Sequence, residues 1–165
     1  MKSLVLGLGN PILSDDAVGV KIAREIEKEL EDPRVTVAEA YEGGLGLLDF
    51  VVGYERVIIV DAIQTKSGEI GQIYRLEPAD FSFAKHSSSP HSTNLITALE
   101  LGRQLNMGIP QEITIFAIEV ADVINFNEEC TPKVKAAIPE AVKVVLSELN
   151  TNYLPLGERV LVKGG

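Results

Sequence analysis

Residues 4–19 read Leu4-Val5-Leu6-Gly7-Leu8-Gly9-Asn10-Pro11-Ile12-Leu13-Ser14-Asp15-Asp16-Ala17-Val18-Gly19. A short apolar run ends in glycines, turns, and enters a helical pattern. This is the first half of a β-α unit. In open α/β sheets the ligand crevice lies beyond the carboxyl ends of the strands. The turn therefore delivers Asp15 and Asp16 to the edge where chemistry is expected. Gly7 and Gly9 also suit a bare tight turn, and Asp15 suits a helix cap. Two adjacent residues cannot both cap one helix, so Asp16 has less structural excuse.

Outward from this stretch, the chain reads as alternating strands and helices. Val18, Ile22, Ile26 and Leu30 share one face of a helix from about Asp16 to Leu30. Lys21, Arg24, Glu25, Lys28 and Glu29 make its solvated face, and Pro33 follows. Val35–Ala38 is β-branched and alternating, a second strand. Gly43-Gly44-Leu45-Gly46 follows it and leaves the same sheet edge as Asp16, as a helix entry or as a substrate contact. A short helix is expected over about 45–52. Arg56–Val60 is wholly apolar after its arginine and reads as a central strand, with Asp61 directly at its end. Unpaired charge at such a place is costly unless it is exposed or partnered, which makes Asp61 the second candidate.

Gly71–Leu76 follows a turn too short for a crossover, so it is expected to be an antiparallel edge strand. Phe81–Pro90 is polar and contains His86 and Ser87-Ser88-Ser89. A helix is expected from Ser92 or Thr93, which leaves His91 in the loop just before it. Glu112–Ile118 is a further central strand closed by Glu119, and Val120–Glu129 reads as irregular. Thr131 and Pro132 stand at the N-cap and first position of a last helix reaching about Leu149. Cys130, beside that helix start, fits either a thiol of lowered pKa or a small buried residue. Residues 151–165 read as a tail, with a marginal strand at Arg159–Lys163. The expected fold is an α/β three-layer sandwich: a mostly parallel twisted sheet of about five strands with helices on both faces. Residues 1–150 are expected to form one domain.

With 165 residues and a net charge of −9, the chain lacks the cationic surface that nucleic acid requires. The lone cysteine excludes a disulfide framework and a thiolate metal cage and fits a reducing cytosol. Its N-terminal apolar run is too short and too rich in Gly, Asn and Pro for a signal peptide. No apolar run reaches the roughly 18 residues that span a bilayer.

Asp16, Asp61 and His91 share one expected location. Two carboxylates and one imidazole suit a borderline divalent cation such as nickel or zinc. They are too few and too nitrogenous for calcium. Three protein ligands leave positions open for water or substrate.

The chain resembles the hydrogenase maturation endopeptidases. The resemblance rests on Gly7-Leu8-Gly9-Asn10 with Asp15-Asp16 and Gly19, on Gly43-Gly44-Leu45-Gly46, and on Val60-Asp61-Ala62. It rests also on Ser89-Pro90-His91, and on Ile118-Glu119 with Thr131-Pro132; all fall in family order over about residues 3–149. Some members carry Glu at the position of Asp16, and many carry Gly at that of Ala17. The resemblance implies a cytoplasmic endopeptidase that trims the C-terminal extension of a nickel–iron hydrogenase large-subunit precursor. It implies Asp16, Asp61 and His91 as ligands of nickel carried by the substrate, a site other divalent cations can also occupy. Asp16 or Asp61 would be the general base, and Gly43, Gly44 and Gly46 substrate contacts. No nucleic acid and no membrane insertion are expected.

Other readings fare worse. Peptidyl-tRNA hydrolases also open with a strand and Gly-Leu-Gly-Asn-Pro, but Ile12–Asp16 replaces the stretch bearing their catalytic histidine. A non-catalytic dinucleotide-binding module would need a third glycine where Ile12 stands. A chaperone-like protein on the same fold would have no need of all three ligands.

Overall fold

The structure is a computed structural model, described here for residues 1–41, 45–83 and 90–151; for 45, 81–83 and 90–94 only the backbone is described. Gly43, Gly44, His86, the serine run and the expected strand at Arg159–Lys163 lie outside those residues.

Five strands build one sheet: β1 (Ser3–Leu8), β2 (Val35–Ala40), β3 (Arg56–Ile63), β4 (Ile73–Leu76) and β5 (Glu112–Glu119), in spatial order β2-β1-β3-β5-β4. All neighbours are parallel except β4, which runs antiparallel to β5 at the edge, as its short approach requires. The helices are α1 (Val18–Glu29), α2 (Leu48–Val51), α3 (Pro78–Phe83), α4 (Pro90–Gln104) and α5 (Pro132–Asn150).

Period-two alternation in the strands sorts the core into two layers. Val5, Ile58, Val60, Phe116 and Ile118 meet Val18, Ile22 and Ile26 of α1 and Val134, Val142 and Val145 of α5. Leu4, Leu6, Leu8, Val57, Ile59, Ile113 and Ile115 meet Leu48 and Val51 of α2 and Leu95, Ala98 and Leu99 of α4. The expected three-layer arrangement is therefore present, with α1 and α5 on one face and α2 and α4 on the other.

The buried guanidinium of Arg56 ties the α1/α5 layer to the sheet. It donates to Ser3 Oγ and to the carbonyls of Glu148 and Leu149, satisfying orphan acceptors at the end of α5.

Several boundaries differ from the sequence reading, each for a visible reason. A 3-10 turn over Ser14–Ala17 precedes α1, because the backbone N–H groups of Ser14 and Asp15 bond to Asn127 and Asp122 in a distant loop, not within a helix. β3 continues through Asp61 to Ile63 because β5 runs alongside it as far as Glu119. The helix expected from Ser92 begins at Pro90, so His91 stands in its first turn and not in the preceding loop. Pro78–Phe83 forms a short helix where no element was expected.

Candidate active site

β1 and β3 pair from Ser3↔Arg56 to Gly7↔Val60, and there the pairing stops. The chain leaves β1 on one side while β3 continues beside β5. Since β1 connects outward to β2 and its other neighbour is β3, the crevice sits at the topological switch point of the sheet.

Asp61 is the first residue past the last β1–β3 pair, fully buried, with Oδ1 accepting the Ala62 N–H at 2.8 Å. By the strand's alternation it shares the face of Val57 and Ile59, the layer covered by α2 and α4. Asp16 approaches the same edge from the turn after β1. It is 8% exposed, and its Oδ2 accepts the Asn10 N–H at 2.8 Å. The turn is fixed by two glycines. Gly9 has φ +142°, a conformation side chains avoid, and a Cβ there would strike the Asp16 carbonyl. A Cβ at Gly19 would lie 2.6 Å from the Leu8 carbonyl and would strike that of Val60, so only glycine lets α1 sit against the ends of both strands.

The backbone at His91 is carried toward this edge by the path of α4. That helix is followed by residues 105–111, which pair with the loop before β3: Gly53 N–H donates to the Gly108 carbonyl at 3.5 Å. The C-terminal end of α4 therefore lies at the opposite edge of the sheet. Its fifteen residues span about 22 Å, so its first turn lies toward the carboxyl ends of the strands. The His91 side chain lies outside the described residues. Among the described residues, no group of three or more His, Cys, Asp or Glu stands placed to hold a metal ion.

Gly46 falls in a 3-10 turn, Leu45–Leu47, and a Cβ there meets nothing within 4 Å among the described residues. Packing within the described chain does not demand glycine at this position.

Asp15 and Cys130, weighed for chemistry, and Glu119, the acid that closes β5, are all held in structural roles. Asp15 neither caps a helix nor faces the crevice. Its buried carboxylate accepts the N–H groups of Ala121, Asp122 and Thr131 at 3.0, 3.0 and 2.7 Å, and the Thr131 hydroxyl at 2.8 Å. Thr131 is the N-cap residue of α5, yet its hydroxyl serves Asp15 and not the helix. Glu119, buried at the end of β5, accepts from the Thr65 N–H at 2.9 Å, from the Thr65 hydroxyl and from the Tyr74 hydroxyl at 3.2 Å. Burial pushes the Cys130 thiol up to about 11, which removes the reactive-thiolate reading. Sequence reasoning missed the ordered 120–131 loop, whose anchor in Asp15 is 106 residues away.

The similarity to known proteins agrees with this fold. A family model described as HycI, hydrogenase maturation protease, matches residues 20–148. The hydrogenase 2 maturation protease of Escherichia coli strain K12 is 30% identical over 154 residues, covering 90% of this chain and 91% of that protein. The solved structure of the hydrogenase maturating endopeptidase HybD from E. coli superposes with a TM-score of 0.77 at 31% identity, covering 90% of this chain and 92% of that one. The [NiFe] hydrogenase maturation protease HybD from Thermococcus kodakarensis gives a TM-score of 0.72 at 25% identity, covering 90% and 99%. A chain that matches the family model over most of its length and repeats the fold of its solved members belongs to the hydrogenase maturation protease family, and is a hydrolase that cleaves peptide bonds.

Proposed function

We propose that this peptidase removes the C-terminal extension of the large-subunit precursor of a nickel–iron hydrogenase, in the cytoplasm, once nickel is seated in that precursor. Asp16, Asp61 and His91 supply the remaining ligands of the substrate's nickel, so that an empty precursor is not recognised. The observation that carries this reading is the position of Asp16 and Asp61. They flank the point where β1 and β3 part, Asp16 accepting the Asn10 N–H and Asp61 the Ala62 N–H.

Carboxylates and imidazole match a borderline divalent ion. The ion orients the cleavage segment and polarises its carbonyl or a water. Asp16 or Asp61 then accepts the proton of the attacking water, in the role of general base. Gly43, Gly44 and Gly46 serve as contacts for the substrate backbone. At Gly46 an added Cβ meets nothing within 4 Å among the described residues, which supports glycine being kept there for a partner.

The test is cleavage of purified precursor prepared with and without nickel. Shortening of the nickel-loaded form alone is expected. Equal cleavage of both forms would remove nickel recognition, and cleavage of neither would remove the proposed substrate.

A further inference from the structure

We propose that Ile124 and Phe126, joined by Ile12, form a docking knob for the protein substrate, gripping a segment that presents a large apolar side chain. This rests on the reading of the substrate given above and adds where it is held.

Ile124 is 80% exposed, Phe126 81% and Ile12 47%. Large apolar side chains grouped in water mark contact surfaces on soluble folds. Here the exposure does not come from a loose loop. Val123 packs against the core and anchors the segment. Asp122 Oδ1 accepts the N–H groups of Ile124 and Asn125, both at 3.0 Å, closing a tight turn. Asp15 grips Ala121 and Asp122 before the knob and Thr131 after it. Asn127 donates its N–H to the Ile12 carbonyl at 2.9 Å and accepts from the Ser14 N–H at 2.9 Å. Lys21 donates to the Glu128 carbonyl. A loop bound at so many points, yet presenting its apolar side chains outward, is preorganised for a partner, and preorganisation lowers the entropic cost of binding.

Position selects the occupant. The Asn127–Ile12 and Asn127–Ser14 bonds join the knob to the turn that carries Asp16, so whatever sits on it is beside the crevice. The two segments involved, residues 9–17 and 120–131, hold Asp15, Asp16, Asp122, Glu128 and Glu129, but Asp15 is buried in the loop's own bonds, Lys135 of α5 pairs with Glu129 at 3.6 Å, and Lys21 of α1 lies against the Glu128 carbonyl. An exposed apolar knob beside the crevice, with lysines set against its acidic neighbours, takes an apolar segment of the chain that the crevice holds.

Steady-state cleavage of nickel-loaded precursor by the full-length enzyme tests this. The double variant I124S/F126S is expected to raise KM at least about tenfold, the scale of losing an aromatic hot spot. Its kcat should stay within about twofold and its Tm within a few degrees, because neither side chain is buried. I12S alone should raise KM severalfold. Unchanged KM in both apolar variants, or a fall in kcat at constant KM, would overturn the proposal while leaving the functional reading intact. So would a concentration-dependent dimer in sedimentation that I124S/F126S dissolves without moving KM, which would give the patch to a second copy of this chain. Wild-type enzyme that cleaves no nickel-loaded precursor would overturn the functional reading and this inference together.

Discussion

Asp61→Asn is expected to lower kcat/KM for nickel-loaded precursor by more than about 100-fold while the protein stays folded. The magnitude follows from the role: changes one shell out from a metal typically cost ten- to a hundredfold, and a direct ligand costs more. The choice of asparagine matters because Asp61 is fully buried. Its Oδ1 accepts the Ala62 N–H, and an amide oxygen still accepts there, so the substitution removes charge without removing that bond. A loss of activity with a Tm within a few degrees of wild type would place the effect on chemistry. His91→Ala should act the same way and abolish processing. Full activity in His91→Ala would take the imidazole out of the site, and full activity in Asp61→Asn would take out the carboxylate.

Asp15→Ala is expected to do the reverse kind of damage. Four donors, three of them backbone N–H groups in the 120–131 loop, lose their acceptor at once. Each hydrogen bond to a charged group contributes about 1.5–3 kcal/mol, and buried donors left without partners add their desolvation cost. Allowing for water reaching the loosened loop, we expect a loss of about 3–5 kcal/mol of folding stability. For a chain of this size that lowers Tm by about 10 °C or more. Asp15→Asn, which keeps an acceptor but not the charge, should lose roughly half as much. Urea unfolding of the three proteins measures this directly. A loss below about 1 kcal/mol for Asp15→Ala would contradict the network as described.

The architecture was legible because its signals are local and strong. Apolar runs such as Val57–Val60 and Ile113–Ile118 lack the alternation of half-solvated strands, and that pattern alone marks a sheet covered on both faces. The brevity of the link before Ile73 forecast the antiparallel edge strand. The position of Asp16 and Asp61 at one edge followed from the same logic, since parallel strands deliver their carboxyl ends together.

What could not be read was tertiary in origin. Asp15 and Asp16 are neighbours with different partners, and only the distant 120–131 loop shows that Asp15 is its anchor while Asp16 holds the Asn10 N–H. The 3-10 turn at Ser14–Ala17 has the same cause, a backbone committed to Asn127 and Asp122. Asp61 was read as the residue after a strand because no local signal showed that β5 would extend the pairing to Ile63. Glu119 carries the composition of a site residue and the environment of a loop anchor. A carboxylate at a strand end is thus a candidate by position, and its partners decide what it does.

The central claim is that the enzyme's own side chains enter the coordination of the precursor's nickel. Nickel X-ray absorption of loaded precursor, recorded alone and with one equivalent of protease, tests it most directly. We predict additional nitrogen and oxygen scatterers when wild-type protease is added, reduced with Asp61→Asn and with His91→Ala. A nickel spectrum that the wild-type enzyme leaves unchanged, under conditions where the two proteins are bound to each other, would contradict it.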